Sequence, residues 1–191
     1  GEMALGLGIQ ALRGSLVPML AKSSDFDWLF LDMEHGSMTL DQASQIAMAA
    51  LMAGVTPIVR VCADALHEAT RALDNGAQGI VVPHVDSAAQ AAAIVQALRY
   101  PPQGNRSWGG SFPQYGLKPA SAAEAQAALN RETAIIAMIE TPEAVANVEA
   151  IAAVEGIDVL LIGTQDLTTC MGIPGQIGHE RVRAAYEAVA A

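Results

Sequence analysis

Six short segments of the chain are apolar throughout instead of alternating: Ala4–Ile9, Trp28–Leu31, Pro57–Val61, Gly79–Val82, Ala134–Ile139 and Val159–Ile162. Unbroken apolar runs of this length are what parallel strands show when both faces are covered. Between them lie longer segments of helical period: Leu16–Ser23, Leu40–Ala53, Leu66–Asn75, Ser87–Leu98, Pro142–Val154 and Glu180–Ala190. Thr39 and Ser87 suit helix N-caps, Pro142 a first helical turn, and Gly54, Gly76 and Gly156 helix ends. Strands recur about every 25 residues, the size of one βα unit, and this predicts an α/β fold. The interval from Val82 to Ala134 is longer. It holds one helix, a Gly/Pro-rich loop over Pro101–Gly110, and a polar helix near Ala120–Leu129.

Two architectures fit this order, a doubly wound open sheet and a (β/α)8 TIM barrel. No G-x-G-x-x-G follows the first strand, because Gly6 and Gly8 sit inside it, so a dinucleotide site is disfavoured. The chain reads as one domain over residues 1–191. A closed barrel needs eight strands and typically about 250 residues. Six strands therefore give the expectation of a barrel domain lacking its last two βα units, which would follow Ala191.

The polar residues interrupt this pattern at one kind of place. The second strand ends in Asp32-Met33-Glu34-His35-Gly36, the third in Arg60, the fourth in Pro83-His84 and the fifth in Glu140. The sixth runs into Gly163-Thr164-Gln165-Asp166-Leu167. Five consecutive strands thus carry polar groups at their C-terminal ends, the rim where α/β folds build active sites.

Composition narrows the chemistry. Ten Lys and Arg stand against 20 Asp and Glu, a net charge of −10, which argues against a nucleic-acid or anionic-membrane partner. Two distant cysteines, Cys62 and Cys170, fit a reducing, cytoplasmic setting and exclude a disulfide scaffold. No apolar stretch is long enough to span a bilayer. Only Lys22 and Lys118 occur, neither at a strand end, which disfavours Schiff-base catalysis.

Glu140 and Asp166, on neighbouring strands, can offer two oxygen ligands to one hard divalent cation, with water and substrate completing its shell. They can equally cap local turns, Glu140 at the helix begun by Pro142. His35 follows two acids, and Asp32 could hold its ring as a general base requires. Arg60, at the end of an apolar strand, needs an anionic partner from the protein or a substrate.

Taken in order, these segments resemble a family. Trp28–Gly36, Val59-Arg60, Val82-Pro83, Tyr100–Arg106, Met138–Thr141 and Gly163–Leu167 look like the HpcH/HpaI class II aldolases, the metal-dependent pyruvate aldolases typified by 4-hydroxy-2-oxoheptanedioate aldolase. The resemblance implies a (β/α)8 barrel assembled as a hexamer, a trimer of dimers. It implies Glu140 and Asp166 as ligands of Mg2+, Mn2+ or Co2+, and Arg60 at the pyruvyl keto oxygen. His35, backed by Asp32, would serve acid–base steps, and the backbone around Gln165-Asp166 would hold the pyruvate carboxylate. Asp74 matches a further acid of the family. Lying at the foot of its own barrel, it could reach only a neighbour's site.

The implied reaction cleaves or forms 4-hydroxy-2-oxoacids, with pyruvate or hydroxypyruvate as the enolate component. Its partners would be a small 2-oxoacid and an aldehyde. Two departures stand out: Met138 where some relatives carry Gln, and Thr164 where Pro is usual. A citramalyl- or malyl-CoA-type lyase shares the chemistry, but the acidic chain shows no basic patch for CoA phosphates. A catalytically silent barrel acting as an assembly subunit is the remaining alternative. Retention of both carboxylates, Arg60 and His35 speaks against it.

Overall fold

The structure is a computed structural model describing residues 3–110 and 112–191. Six strands, β1 (Gly6–Ile9), β2 (Trp28–Asp32), β3 (Thr56–Arg60), β4 (Gly79–Val82), β5 (Ala134–Ile139) and β6 (Val159–Ile162), pair in chain order and all in parallel. Helices α1 (Val17–Ser23), α2 (Leu40–Ala53), α3 (Leu66–Asp74) and α4 (Ala88–Leu98) return the chain between the first strands. After the long loop come α5 (Ala122–Glu132), α6 (Pro142–Ala146), α7 (Val148–Ala152), α8 (Thr164–Cys170) and α9 (Glu180–Ala190). The result is a curled parallel half-barrel. Among the described residues β1 pairs only with β2 and β6 only with β5, so the sheet is open.

Side chains alternate across each strand, and the two faces of this sheet bury different partners. Leu29, Leu31, Val59, Ile80, Ile135 and Ile139 pack outward with Ile46, Ala69, Ile94 and Ile151 of the helices. Phe30, Ile58, Val81, Ile136, Met138 and Leu161 form a second cluster on the concave face. Each fully buried Leu or Ile contributes about 2 kcal/mol, and a one-residue slip would turn all of them outward. Burial of the outer layer therefore decides which residues face the concave side. Two residues beyond Phe30, Ile58 and Met138 come Asp32, Arg60 and Glu140, on that same side.

The expected N-caps form at Thr39 and Ser87, while Gly156, expected to end a helix, falls beyond α7, whose C-cap is Ala153. Thr39 accepts from the Gln42 amide, and the Gln42 side chain accepts from the Thr39 amide, a complete capping box. Gly54 closes α2 with φ of 69°, a left-handed conformation suited to glycine. Two helices differ from expectation. The segment Pro142–Val154 breaks at Asn147, whose φ and ψ of −99° and 7° leave the helical region and whose side chain donates to the Asp86 carbonyl at 2.8 Å. The turn read at Gly163–Leu167 is the start of α8. Its threonines have weak helix propensity, and the Thr168 and Thr169 hydroxyls both donate to the Gln165 carbonyl at 2.9 Å. Among the described residues no helix is long and apolar enough to cross a membrane.

Candidate active site

Asp32 and Arg60 are register partners at the ends of β2 and β3. Both are buried, and they meet as a two-pronged pair: Arg60 Nε donates to Asp32 Oδ1 at 3.0 Å and Nη2 to Oδ2 at 2.6 Å. Gln10 Nε2 adds a bond to Oδ2 at 2.9 Å, and the amides of Glu34 and His35 donate to Oδ1. Burial alone would raise the Asp32 pKa; the bonds from Arg60, Gln10 and the His35 amide outweigh it and hold the carboxyl at about 2. Arg60 is likewise kept charged, burial opposing and Asp32 prevailing. Its guanidinium lies 5.3 Å from the Phe30 ring centroid, and its Nη1 approaches Met138 Sδ at 3.9 Å. A cavity of about 280 Å³ opens beside the pair, lined by Gly8, Ile9, Gln10, Phe30, Asp32 and Arg60.

One expectation is corrected here. Asp32 does not hold the His35 ring; it holds the His35 main chain, because both its oxygens are turned to Arg60. The acid near the ring is Glu34, with Oε2 3.9 Å from His35 Nε2 and 3.2 Å from Arg60 Nη1. Glu34 Oε1 also lies 3.8 Å from His84 Nε2. Sequence reasoning gave neither Glu34 nor Gln10 a role, and left His84 unassigned on the rim. The two-residue spacing of Asp32 and Glu34 was the available signal for Glu34, since it favours a shared face. Nothing in the sequence pointed to Gln10.

Glu140 is 2% exposed and does not cap α6. That cap is Thr141, whose Oγ1 accepts from the Ala144 amide at 3.0 Å. The two Glu140 oxygens face opposite ways. Oε2 accepts from the His84 amide at 2.9 Å. Oε1 lies against Gly163, where an added Cβ would fall 2.1 Å from it, so only glycine admits the carboxylate. Burial raises the Glu140 pKa, the His84 amide and ring oppose this, and the charges of Asp166 and Glu34 add to it. Asp166 is half-buried in the first turn of α8, with exposed Gln165 beside it. Among the described residues neither Asp166 nor Glu140 Oε1 takes part in a hydrogen bond, and no group of three or more His, Cys, Asp or Glu is arranged for a metal. An Asp166 carboxylate without a hydrogen bond, near enough for its charge to act on Glu140, and a Glu140 oxygen left over from the His84 amide fit a hard cation, whose other positions would fall to water and substrate.

Asp74 lies apart. It closes α3, which runs from the Arg60 end of the sheet back to the start of β4. There its Oδ1 pairs at 2.7 Å with buried Arg106, whose guanidinium stands 4.6 Å from the Tyr100 ring centroid. The structure thus brings together Asp32, His35, Arg60, Glu140, Gln165 and Asp166 on one rim, and places Asp74 at the other end.

Comparison with known proteins bears on this geometry. A family model described as HpcH/HpaI aldolase/citrate lyase matches residues 15–191. The 4-hydroxy-4-methyl-2-oxoglutarate aldolase tasA of Hapsidospora irregularis is 43% identical over 195 residues, covering 100% of this chain and 72% of the relative. A hydroxypyruvate/pyruvate aldolase of Pseudomonas aeruginosa is 38% identical over 188 residues, covering 98% and 69%. Among solved structures, an HpcH/HpaI aldolase from Desulfitobacterium hafniense superposes with a TM-score of 0.93 at 32% identity, over 98% of this chain and 72% of that one.

Proposed function

The chain belongs to the HpcH/HpaI aldolase/citrate lyase family and is a carbon–carbon lyase of the class II aldolase kind, and from that premise we propose how its rim performs the reaction. Glu140 and Asp166 hold a divalent cation, Mg2+, Mn2+ or Co2+. When bound, the cation supplies a Lewis acid for the electrons released by C3–C4 cleavage of a 4-hydroxy-2-oxoacid. Arg60 donates to the pyruvyl keto oxygen through the Nη1 hydrogen not turned to Glu34, since its Nε and Nη2 are committed to Asp32. The amides around Gln165-Asp166 bind the pyruvyl carboxylate at the start of α8.

His35, 54% exposed at its side chain, takes the C4 hydroxyl proton directly or through a water. The C3–C4 pair then passes to the pyruvyl half, the aldehyde leaves, and C3 regains a proton to give pyruvate or hydroxypyruvate. Asp32 sets the position of Arg60 and of the His35 backbone. Asp74 serves the site of a neighbouring subunit, and this requires a homo-oligomer such as a hexamer. The enzyme works in the cytoplasm.

The observation that carries this reading is the free Oε1 of Glu140 and the Asp166 carboxylate beside a guanidinium held at the C-terminal strand ends. The test is pyruvate release from a panel of 4-hydroxy-2-oxoacids with and without Mn2+. Turnover is expected only with the metal, and full activity in excess EDTA would remove Glu140 and Asp166 from the metal role.

A further inference from the structure

His84 has a conformation that its sequence neighbourhood does not demand. Its φ is 55°, left-handed, and the other non-glycine residues with positive φ, Asp25 and Leu117, lie in loops away from the rim. Strain of this kind persists where surroundings over-determine it, and it gathers at ligand clamps. Here the surroundings are visible: the His84 amide is fixed on Glu140 Oε2 at 2.9 Å. The main chain is therefore pinned while the ring is not. The side chain is 43% exposed, with Nδ1 3.4 Å from Glu140 Oε2 and Nε2 3.8 Å from Glu34 Oε1. Among the described residues neither ring nitrogen makes a hydrogen bond.

We propose that His84 and Glu34 form the subsite for the acceptor half of the substrate, and that it selects acceptor aldehydes bearing a hydroxyl group next to the carbonyl. The proposal rests on the aldolase reading above and adds the acceptor class to it. Position comes first. Glu140 Oε1 faces Gly163 and the β6 side, where the proposed function puts the pyruvyl carboxylate, and Oε2 faces His84 on the β4 side. The acceptor half extends toward His84.

Chemistry comes second. The gap between His84 Nε2 and Glu34 Oε1 is too wide for a direct bond, and one oxygen can bridge it, accepting from the ring N–H and donating to the carboxylate. A hydroxyl does both; a carboxylate cannot donate. Charge points the same way. The rim carries Asp32, Glu34, Glu140 and Asp166 against Arg60, whose guanidinium is turned to Asp32 and Glu34. An anionic acceptor would meet Glu34, and the Arg60 guanidinium is already divided among Asp32, Glu34 and the keto oxygen.

The test uses condensation of pyruvate with glycolaldehyde, acetaldehyde and glyoxylate, at saturating Mn2+. His84→Gly deletes the ring, keeps the amide on Glu140 and suits the left-handed backbone. His84→Gln returns a donor at similar reach. The preference for glycolaldehyde over acetaldehyde, as a ratio of kcat/KM, should fall at least tenfold in His84→Gly and recover in part in His84→Gln. The fall should appear mainly in the KM for the aldehyde. Mn2+ affinity, read by electron paramagnetic resonance, should stay within about twofold, because the amide on Glu140 remains.

A ratio unchanged within twofold would overturn the subsite. So would an equal loss with both aldehydes accompanied by weaker Mn2+ binding, which marks a structural role. A selective loss for glyoxylate would instead make His84 a carboxylate reader and overturn the hydroxyl assignment. Failure of the unaltered enzyme with all three acceptors while it still releases pyruvate from 4-hydroxy-2-oxoacids would overturn the subsite alone; failure in both assays would sink the aldolase reading and the subsite with it.

Discussion

Asp32 accepts five hydrogen bonds, from Arg60 Nε and Nη2, Gln10 Nε2 and the amides of Glu34 and His35. Burial pushes its carboxyl up, but the bonds from Arg60, Gln10 and the His35 amide outweigh it and hold the pKa at about 2, below the ordinary value of 3.8. The sign of the consequence is fixed. A carboxyl depressed in the folded state stabilises the fold in full above its unfolded pKa and loses that contribution as pH falls through the folded one. The gap corresponds to about 2 kcal/mol, present at pH 5 and above and lost between about pH 4 and pH 2. Urea unfolding of the wild type should show this loss, and Asp32→Asn should flatten that part of the profile. Equal pH dependence in the two proteins would contradict the assignment.

At the level of elements, the foot of the sheet is tied by Arg99, the residue that closes α4. Its Nη1 donates to the carbonyls of Thr133 at 2.8 Å and Asn130, and its Nη2 to the Gly156 carbonyl at 3.0 Å and Asp158 Oδ2 at 2.6 Å. The same Asp158 oxygen accepts from the Ile135 amide at 2.7 Å. One guanidinium thus joins the ends of α4, α5 and α7 to the starts of β5 and β6. Arg99 is 3% exposed, so Arg99→Ala would strand buried carbonyls and should destabilise by about 3 kcal/mol. A chemical denaturation curve reads this directly. Since Arg99 lies at the opposite end from Glu140, the KM of the folded variant should hold, and a large KM change would show coupling between the two ends.

Over the whole molecule, a net charge of −10 is partly concentrated on the rim, where the Asp166 and Glu34 charges act on Glu140. A cation that binds the folded rim and not the unfolded chain stabilises by mass action. Free Mn2+ at about 100 times its Kd should add about 2.7 kcal/mol, an upward shift in Tm of roughly 5–10 °C for a chain of this size. Glu140→Gln should abolish the shift, as should EDTA. An undiminished shift in Glu140→Gln would place the cation elsewhere.

The strands, the α/β class and the rim were legible in the sequence because they follow from local facts, whereas the pairing of the strands in chain order was not. Apolar runs cannot stay in water, and the polar residues that end them must lie at strand ends. Arg60 was legible for the same reason, as a guanidinium at the end of an apolar strand that had to find an anion. The partnerships across the rim were not legible. Which oxygen Asp32 shows to Arg60, and that the His84 backbone turns left-handed to hold Glu140, depend on contacts between residues 28 and 56 positions apart. Spacing along the chain carries no information on such distances. The sheet's curl brings the strand ends together, and burial on its outer face decides which side chains turn inward to meet.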